Sequence, residues 1–176
     1  MIGLPTDALP FIRGVQLVVS GYTGYTKGKR RENDAAVRQE IIRASGRAQT
    51  HLANVHDQSY KDGQTKITRA CKQAMEEIDQ FRNEVDKAET GGDHPFFSKQ
   101  KSVSKSDLKK LIKHDYEVIE MVTKGVNIAN SCELLFGQAG EETEVIALAR
   151  QCQQTISSCR GFFGARSSIL QGMRRK

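Results

Sequence analysis

The chain has 176 residues, 38% of them hydrophobic and 27% charged, with a formal net charge of +6. That length supports one sizeable core, and no apolar run approaches the roughly 20 residues of a membrane span. Three prolines and no tryptophan suit long helices joined by few turns.

The apolar stretch Phe11 to Val19 lacks a basic leader and a small-residue cleavage site, so no signal peptide is expected. The four cysteines, Cys71, Cys132, Cys152 and Cys159, fall on apolar helix faces, and none forms a CxxC pair. These features predict a reduced, intracellular, cytoplasmic chain using cysteine as a small core residue.

The first apolar segment runs from Ala8 to Lys27. Phe11, Val15, Val18, Tyr22 and Tyr25 recur at steps of four and three, the spacing of one helix face. Thr6 or Asp7 is placed to cap it, and Pro10 is tolerated in a first turn. Gly14, Gly21, Gly24 and Gly28 each weaken a helix by about 1 kcal/mol relative to alanine, so it is expected to loosen after Gly21. The run Val15 to Val19 would also suit a strand, and the tandem Gly-Tyr-Thr that follows reads as a flexible surface element.

Lys27, Lys29, Arg30 and Arg31 come next, and then Glu32, Asn33 and Asp34 as a helix start. The second helix reaches about His56 with Val37, Ile41, Ala44, Ala48, Leu52 and Val55 inward. Asp62 and Gly63 signal a turn. The third helix, Thr65 to Ala88, has the clearest pattern. Ile67, Cys71, Ala74, Ile78, Phe81, Val85 and Ala88 step four, three, four, three, the a/d seam of a helix packed lengthwise on others. Gly91 and Gly92 stop it, and Pro95 blocks its resumption.

Ser104 and Asp107 resemble a capping box at the start of the fourth helix. Its inward residues are Leu108, Ile112, Ile119, Val122, Val126, Ala129 and Cys132, and Gly137 ends it. Glu141, Glu142 and Glu144 suit the positive N-terminus of the fifth helix. That helix packs through Val145, Ala149, Cys152, Ile156, Cys159, Phe163, Leu170 and Met173, with Arg166 interrupting the seam.

The pattern predicts an all-α fold, an antiparallel bundle of four or five helices with a long C-terminal helical hairpin, as a single domain over residues 1–176. Residues 33–90 make the first hairpin and 104–176 the second; residues 1–31 are an apolar and basic segment able to move. At about 1.5 Å per residue helices four and five reach about 50 Å against about 40 Å for helices two and three. The last hairpin should therefore overhang, bend or pack against another chain, and self-association through helices is expected.

Antiparallel order brings three basic clusters to one pole. They are Lys27, Lys29, Arg30 and Arg31; Lys99, Lys101, Lys105, Lys109, Lys110 and Lys113; and Arg160, Arg166, Arg174, Arg175 and Lys176. Glu133, Glu141, Glu142 and Glu144 fall at the other pole. A basic pole favours polyanions, although lysines at helix ends also serve the helix dipole without any partner. Tyr22, Tyr25, Phe96, Phe97, Phe162 and Phe163 lie near it, either as ring platforms or as plugs of the core.

No catalytic signature emerges. A phosphate loop needs four residues between its glycines and then Lys-Ser or Lys-Thr, whereas Gly24 and Gly28 enclose three and Arg30 follows Lys29. No Glu has a His three residues later, and His51 and His56 do not share a helix face, so neither metal nor cofactor is expected. The favoured reading is a non-enzymatic interaction module engaging an anionic membrane surface. Its basic pole would meet the headgroups, with Phe11, Ile12, Leu17, Val18 and Val19 as an inserting wedge. The alternatives are nucleic-acid binding by the same pole and a structural subunit contacting a protein partner. Removing Met1 to Gly21 would separate the first from the others.

Overall fold

A computed structural model describes residues 4–88, 96 and 103–173. Five helices follow one another: α1 (Leu9–Gln16), α2 (Arg30–Lys61), α3 (Thr65–Lys87), α4 (Lys105–Gly137) and α5 (Glu142–Gly172). A 3-10 turn at Thr6–Ala8 precedes α1. The fold is all-α, with no strand among the described residues, and none of the described helices is long and apolar enough to cross a membrane.

The seven-residue seams are the core. In α3, Ile67, Cys71, Ala74, Ile78, Phe81 and Val85 are all buried, and in α2 so are Val37, Ile41, Ala44, Ala48, Leu52 and Val55. Each large aliphatic or phenyl group so buried contributes about 1.5–3 kcal/mol. Ser104 does cap α4: the Asp107 N–H donates to Ser104 Oγ at 3.1 Å, and Ser104 Oγ donates to Asp107 Oδ2 at 2.7 Å. Two boundaries differ from expectation. α1 stops at Gln16, and its N-cap residue Ala8 offers no side-chain cap, so neither Thr6 nor Asp7 takes that role. α2 runs on through the polar residues Asp57 to Lys61 and closes only where Gly63 turns left-handed at φ 72°. There the Gln64 N–H donates to Ser59 O at 2.8 Å, the closing bond of a helix C-terminus. At 32 residues α2 matches α4 and α5, at 33 and 31; α3 has 23. The expected difference therefore holds for α3 and not for α2.

The chain forms two compact units. Unit 1 comprises Met1–Ile41, Val85–Ile119 and Gly161–Lys176, and unit 2 comprises Ile42–Glu84 and Glu120–Arg160. In unit 2 the pairing of α4 with α5 is direct. Cys132 Sγ donates to Val145 O and Cys152 Sγ to Gly125 O, each at 3.5 Å. One partner moves back seven residues as the other advances seven, so the helices are antiparallel. Gly125 permits this approach, since a Cβ there would lie 2.8 Å from Ile156 Cδ1. Between α2 and α3, the Ser59 and Thr68 hydroxyls meet at 2.8 Å and Gln49 Nε2 donates to Asp79 at 2.9 Å. His51 and Asn54 of α2 hold Glu133 of α4 at 2.5 and 2.7 Å. All four cysteines are buried free thiols. Burial pushes Cys152 and Cys159 up to about 12, as befits inert core groups.

Candidate anion-binding face of unit 1

The segments of unit 1 carry seventeen Lys and Arg against ten Asp and Glu, a net +7. Those of unit 2 carry ten against eleven, a net −1. The whole positive excess of the chain therefore belongs to unit 1.

Not all of that charge faces outward. Asp34, Asp115 and Arg166 are each 3% exposed or less, and they meet. Arg166 Nη2 lies 2.6 Å from Asp34 Oδ1, and Arg166 Nε lies 3.3 Å from Asp115 Oδ1. Arg38 Nε reaches the second Asp34 oxygen at 3.1 Å. Tyr25 Oη accepts from Arg166 Nη2 at 3.0 Å and donates to Asp115. The sequence explains the meeting. Asp34 precedes Val37 by three in the α2 seam, Asp115 sits between Ile112 and Ile119 in α4, and Arg166 between Phe163 and Leu170 in α5. All three occupy core positions, where a charge persists only if paired. Burial works against the Arg166 charge, but Tyr25, Asp115 and Asp34 outweigh it and raise the guanidinium above its usual value. Arg166 is therefore not part of an anion-binding surface.

Tyr25 is held there by an ordered loop, not by a flexible surface element. Gly24 and Tyr25 are both left-handed, at φ 68° and 63°, and for tyrosine that conformation is unfavourable by about 1–3 kcal/mol. Asn33 Oδ1 offsets it by accepting from Thr23 N–H at 2.8 Å, Thr23 Oγ1 at 3.1 Å and Tyr25 N–H at 3.1 Å. Gln16 Nε2 adds a bond to Tyr22 O at 2.7 Å. Tyr22 and Tyr25 are both buried, their rings edge-on 5.7 Å apart.

Among the other expected basic residues, Lys27, Lys29 and Arg31 are exposed, with Lys29 paired to Glu32 at 3.1 Å. Arg30 turns inward. Its Nη1 donates to Phe96 O at 2.8 Å and its guanidinium stands 4.9 Å above the Phe96 ring. Lys105, Lys110 and Lys113 project from the first turns of α4; Lys113 pairs with Glu117 at 3.6 Å, and the half-buried Lys109 pairs with Asp7. The Lys109 hydrogen bond lowers the Asp7 carboxyl below its usual value. Arg160 belongs to unit 2, where Glu77 and Glu84 of α3 hold it at 3.2 and 3.7 Å. Lys99, Lys101, Arg174, Arg175 and Lys176 lie outside the described residues.

The apolar candidates divide in the same way. Ile12 and Val19 are buried with Val15, so they anchor the segment and cannot insert elsewhere. Phe11 is half-buried, with its ring centroid 5.5 Å from that of Tyr116. Gly14 lets that same ring lie against the α1 backbone, since a Cβ would collide with Tyr116. Leu17 is 87% exposed and Val18 42%, as is Leu9. The buried stripe is Ala8, Ile12, Val15 and Val19, at steps of four and three, so Val19 and not Val18 takes the core position. The segment ahead of α1 lies against α4. Leu4, Pro5, Thr6 and Asp7 face Lys105, Ser106 and Lys109 across a cleft of about 410 Å³.

The rings expected at this pole are mostly committed to packing. Tyr22, Tyr25, Phe96 and Phe163 are buried, and Phe162 stacks on His114 at 4.7 Å. Phe97 lies outside the described residues. Among the described residues no group of three His, Cys, Asp or Glu is placed to hold a metal ion. Comparison with protein-family models, characterised proteins and solved structures finds no match, so the functional reading rests on these side chains alone.

Proposed function

We propose that unit 1 is a non-enzymatic module that docks peripherally on anionic membrane surfaces. The observation that carries this reading is the exposed pair Leu17–Val18 just after helix α1 of unit 1, whose leading segment lies against the lysine-bearing start of α4. Each lysine near an anionic leaflet contributes about 1 kcal/mol, and each aliphatic side chain drawn out of water about 1.5–3 kcal/mol. Neither kind of contact alone gives stable binding; together they form a reversible two-signal attachment. The segment need not leave the bundle, because Leu17 and Val18 are already at the surface.

The buried rings weigh against base stacking, which needs accessible aromatic faces. Deleting Met1 to Gly21 would also remove Ile12, Val15 and Val19 from the core, so point substitution is the cleaner test. Vesicles of phosphatidylcholine with phosphatidylserine should sediment the chain, and vesicles of phosphatidylcholine alone should not. Leu17→Glu with Val18→Glu should lower that partitioning at least tenfold while leaving the unfolding midpoint unchanged. Equal partitioning of the variant, or binding to oligonucleotides and not to vesicles, would overturn the proposal.

A further inference from the structure

Unit 2 is slightly acidic as a whole, yet two of its arginines border one cleft whose lining includes no acid. Arg82 meets Asp79 at 3.9 Å, Lys72 meets Glu76 at 4.0 Å, and Arg160 is held by Glu77 and Glu84. Arg69 of α3 and Arg150 of α5 have no ion-pair partner among the described residues. Neither has an acid three or four residues away in its own helix. Both line one cleft of about 130 Å³, with Lys66, Ala70, Gln73 and Ile146. Lys66, Arg69, Ala70 and Gln73 recur at helical spacing, so they form one stripe of α3. Lys66 is drawn toward Glu142 at 3.3 Å, which leaves the two guanidinium groups as the free charges.

On its other flank Arg69 borders a second groove of about 350 Å³, shared with Tyr60, Thr65, Thr68 and Lys72. Tyr60 is 74% exposed, with its ring open to solvent. The two clefts thus share one arginine. The smaller has the volume of about four water molecules, enough for a tetrahedral oxyanion. Arg69 and Arg150 both border that space and neither is paired with an acid, and the planar donor forks of arginine match phosphate oxygens. The larger groove offers an aromatic face of the kind on which flat organic groups stack, worth about 1–3 kcal/mol for a base.

We infer that these two clefts form a binding site for a small phosphate ester carrying a flat ring, of the nucleoside monophosphate type. Arg69 and Arg150 hold the phosphate, Gln73 donates to it, and Tyr60 stacks on the ring. The site lies wholly in unit 2 and is independent of the membrane reading.

Titration calorimetry with four probes tests it: adenosine monophosphate, ribose 5-phosphate, inorganic phosphate and adenosine. Adenosine monophosphate should bind most tightly, ribose 5-phosphate and phosphate more weakly, and adenosine not at all. Arg69→Ala with Arg150→Ala should weaken adenosine monophosphate at least tenfold, and Tyr60→Ala should reduce it to the level of ribose 5-phosphate. All three side chains are exposed, so the fold should survive, and denaturation midpoints check that it does. Absence of saturable binding at millimolar nucleotide, or equal affinity in the double arginine variant, would overturn the inference. Nucleotide affinity unchanged by Tyr60→Ala would overturn the assignment of the ligand.

Discussion

Arg166 shows how one side chain can be legible in position and misleading in role. It interrupts the α5 seam, and a lone charge there looks like a surface residue. The matching interruptions at Asp34 in α2 and Asp115 in α4 were equally visible. Charges of opposite sign at core positions of three helices, one step ahead of the α2 seam and within those of α4 and α5, predict a buried cluster; single helices read separately do not. Removing one partner of such a cluster leaves the others charged and unpaired, which costs about 3–5 kcal/mol. Arg166→Leu should lose stability on that scale in denaturant titration at neutral pH. Tyr25→Phe should lose about 1–3 kcal/mol, because only one hydroxyl is withdrawn. Glu133 poses a different case. Its hydrogen bond from His51, with a second from Asn54, holds the carboxyl below its usual value. A lowered carboxyl adds stability above its unfolded value of about 4.3, and that contribution fades as pH falls through the folded value. The pair is partly exposed, so the effect is under about 1 kcal/mol. Glu133→Gln should destabilise by up to that amount at pH 7 and by progressively less as the pH falls below about 4, with denaturation measured across that range as the check.

At the scale of elements, the long helices were readable and α1 was not. Patterns such as Ile67–Cys71–Ala74–Ile78 have one solution, a helix with one buried face. Between Ala8 and Lys27 the same spacing continues past the true helix end, because loop residues Tyr22 and Tyr25 also happen to be buried. Periodicity reports burial, and here burial outlasts the helix. Much of the loop's order comes from Asn33, which a first turn of α2 presents to two backbone amides and a hydroxyl, while Gln16 and Arg30 hold the carbonyls of Tyr22 and Tyr25. No local rule connects residue 33 to residues 23 and 25. Asn33→Ala should therefore expose the amides of Thr23 and Tyr25 to exchange with solvent by hydrogen-exchange measurement, while the amides of α3 keep their protection.

Across the whole molecule, the all-helical core followed from seven-residue repeats, whereas the distribution of charge followed only in part. Gathering the termini of several helices into unit 1 does concentrate positive charge there, at net +7. Which basic groups are available depends on partners that sequence does not name: Asp7 for Lys109, Phe96 for Arg30, and Glu77 for Arg160. The exposed lysines act through a screened field, with a Debye length of about 8 Å at physiological ionic strength. Vesicle binding should fall as salt rises and level off at the residual contribution of Leu17 and Val18, a plateau that the double glutamate variant should lack. The cleft of Arg69 and Arg150 is not legible locally, because its two arginines stand on different helices, α3 and α5. A search for cations with no acid one helical turn away would have found both.

Seams that repeat every seven residues carry an ambiguity, since one helix can slide by a whole repeat and still bury apolar groups. Arg160 removes it for α5 against α3. It engages Glu77, Gln80 and Glu84, a ladder one repeat long. Sliding one repeat toward the start of α3 would set Arg160 between Ala70 and Glu77 and leave Glu84 without its cation. This polar clamp, with Lys66 on Glu142 as a second tie between the same two helices, thus favours one alignment over its seven-residue neighbours.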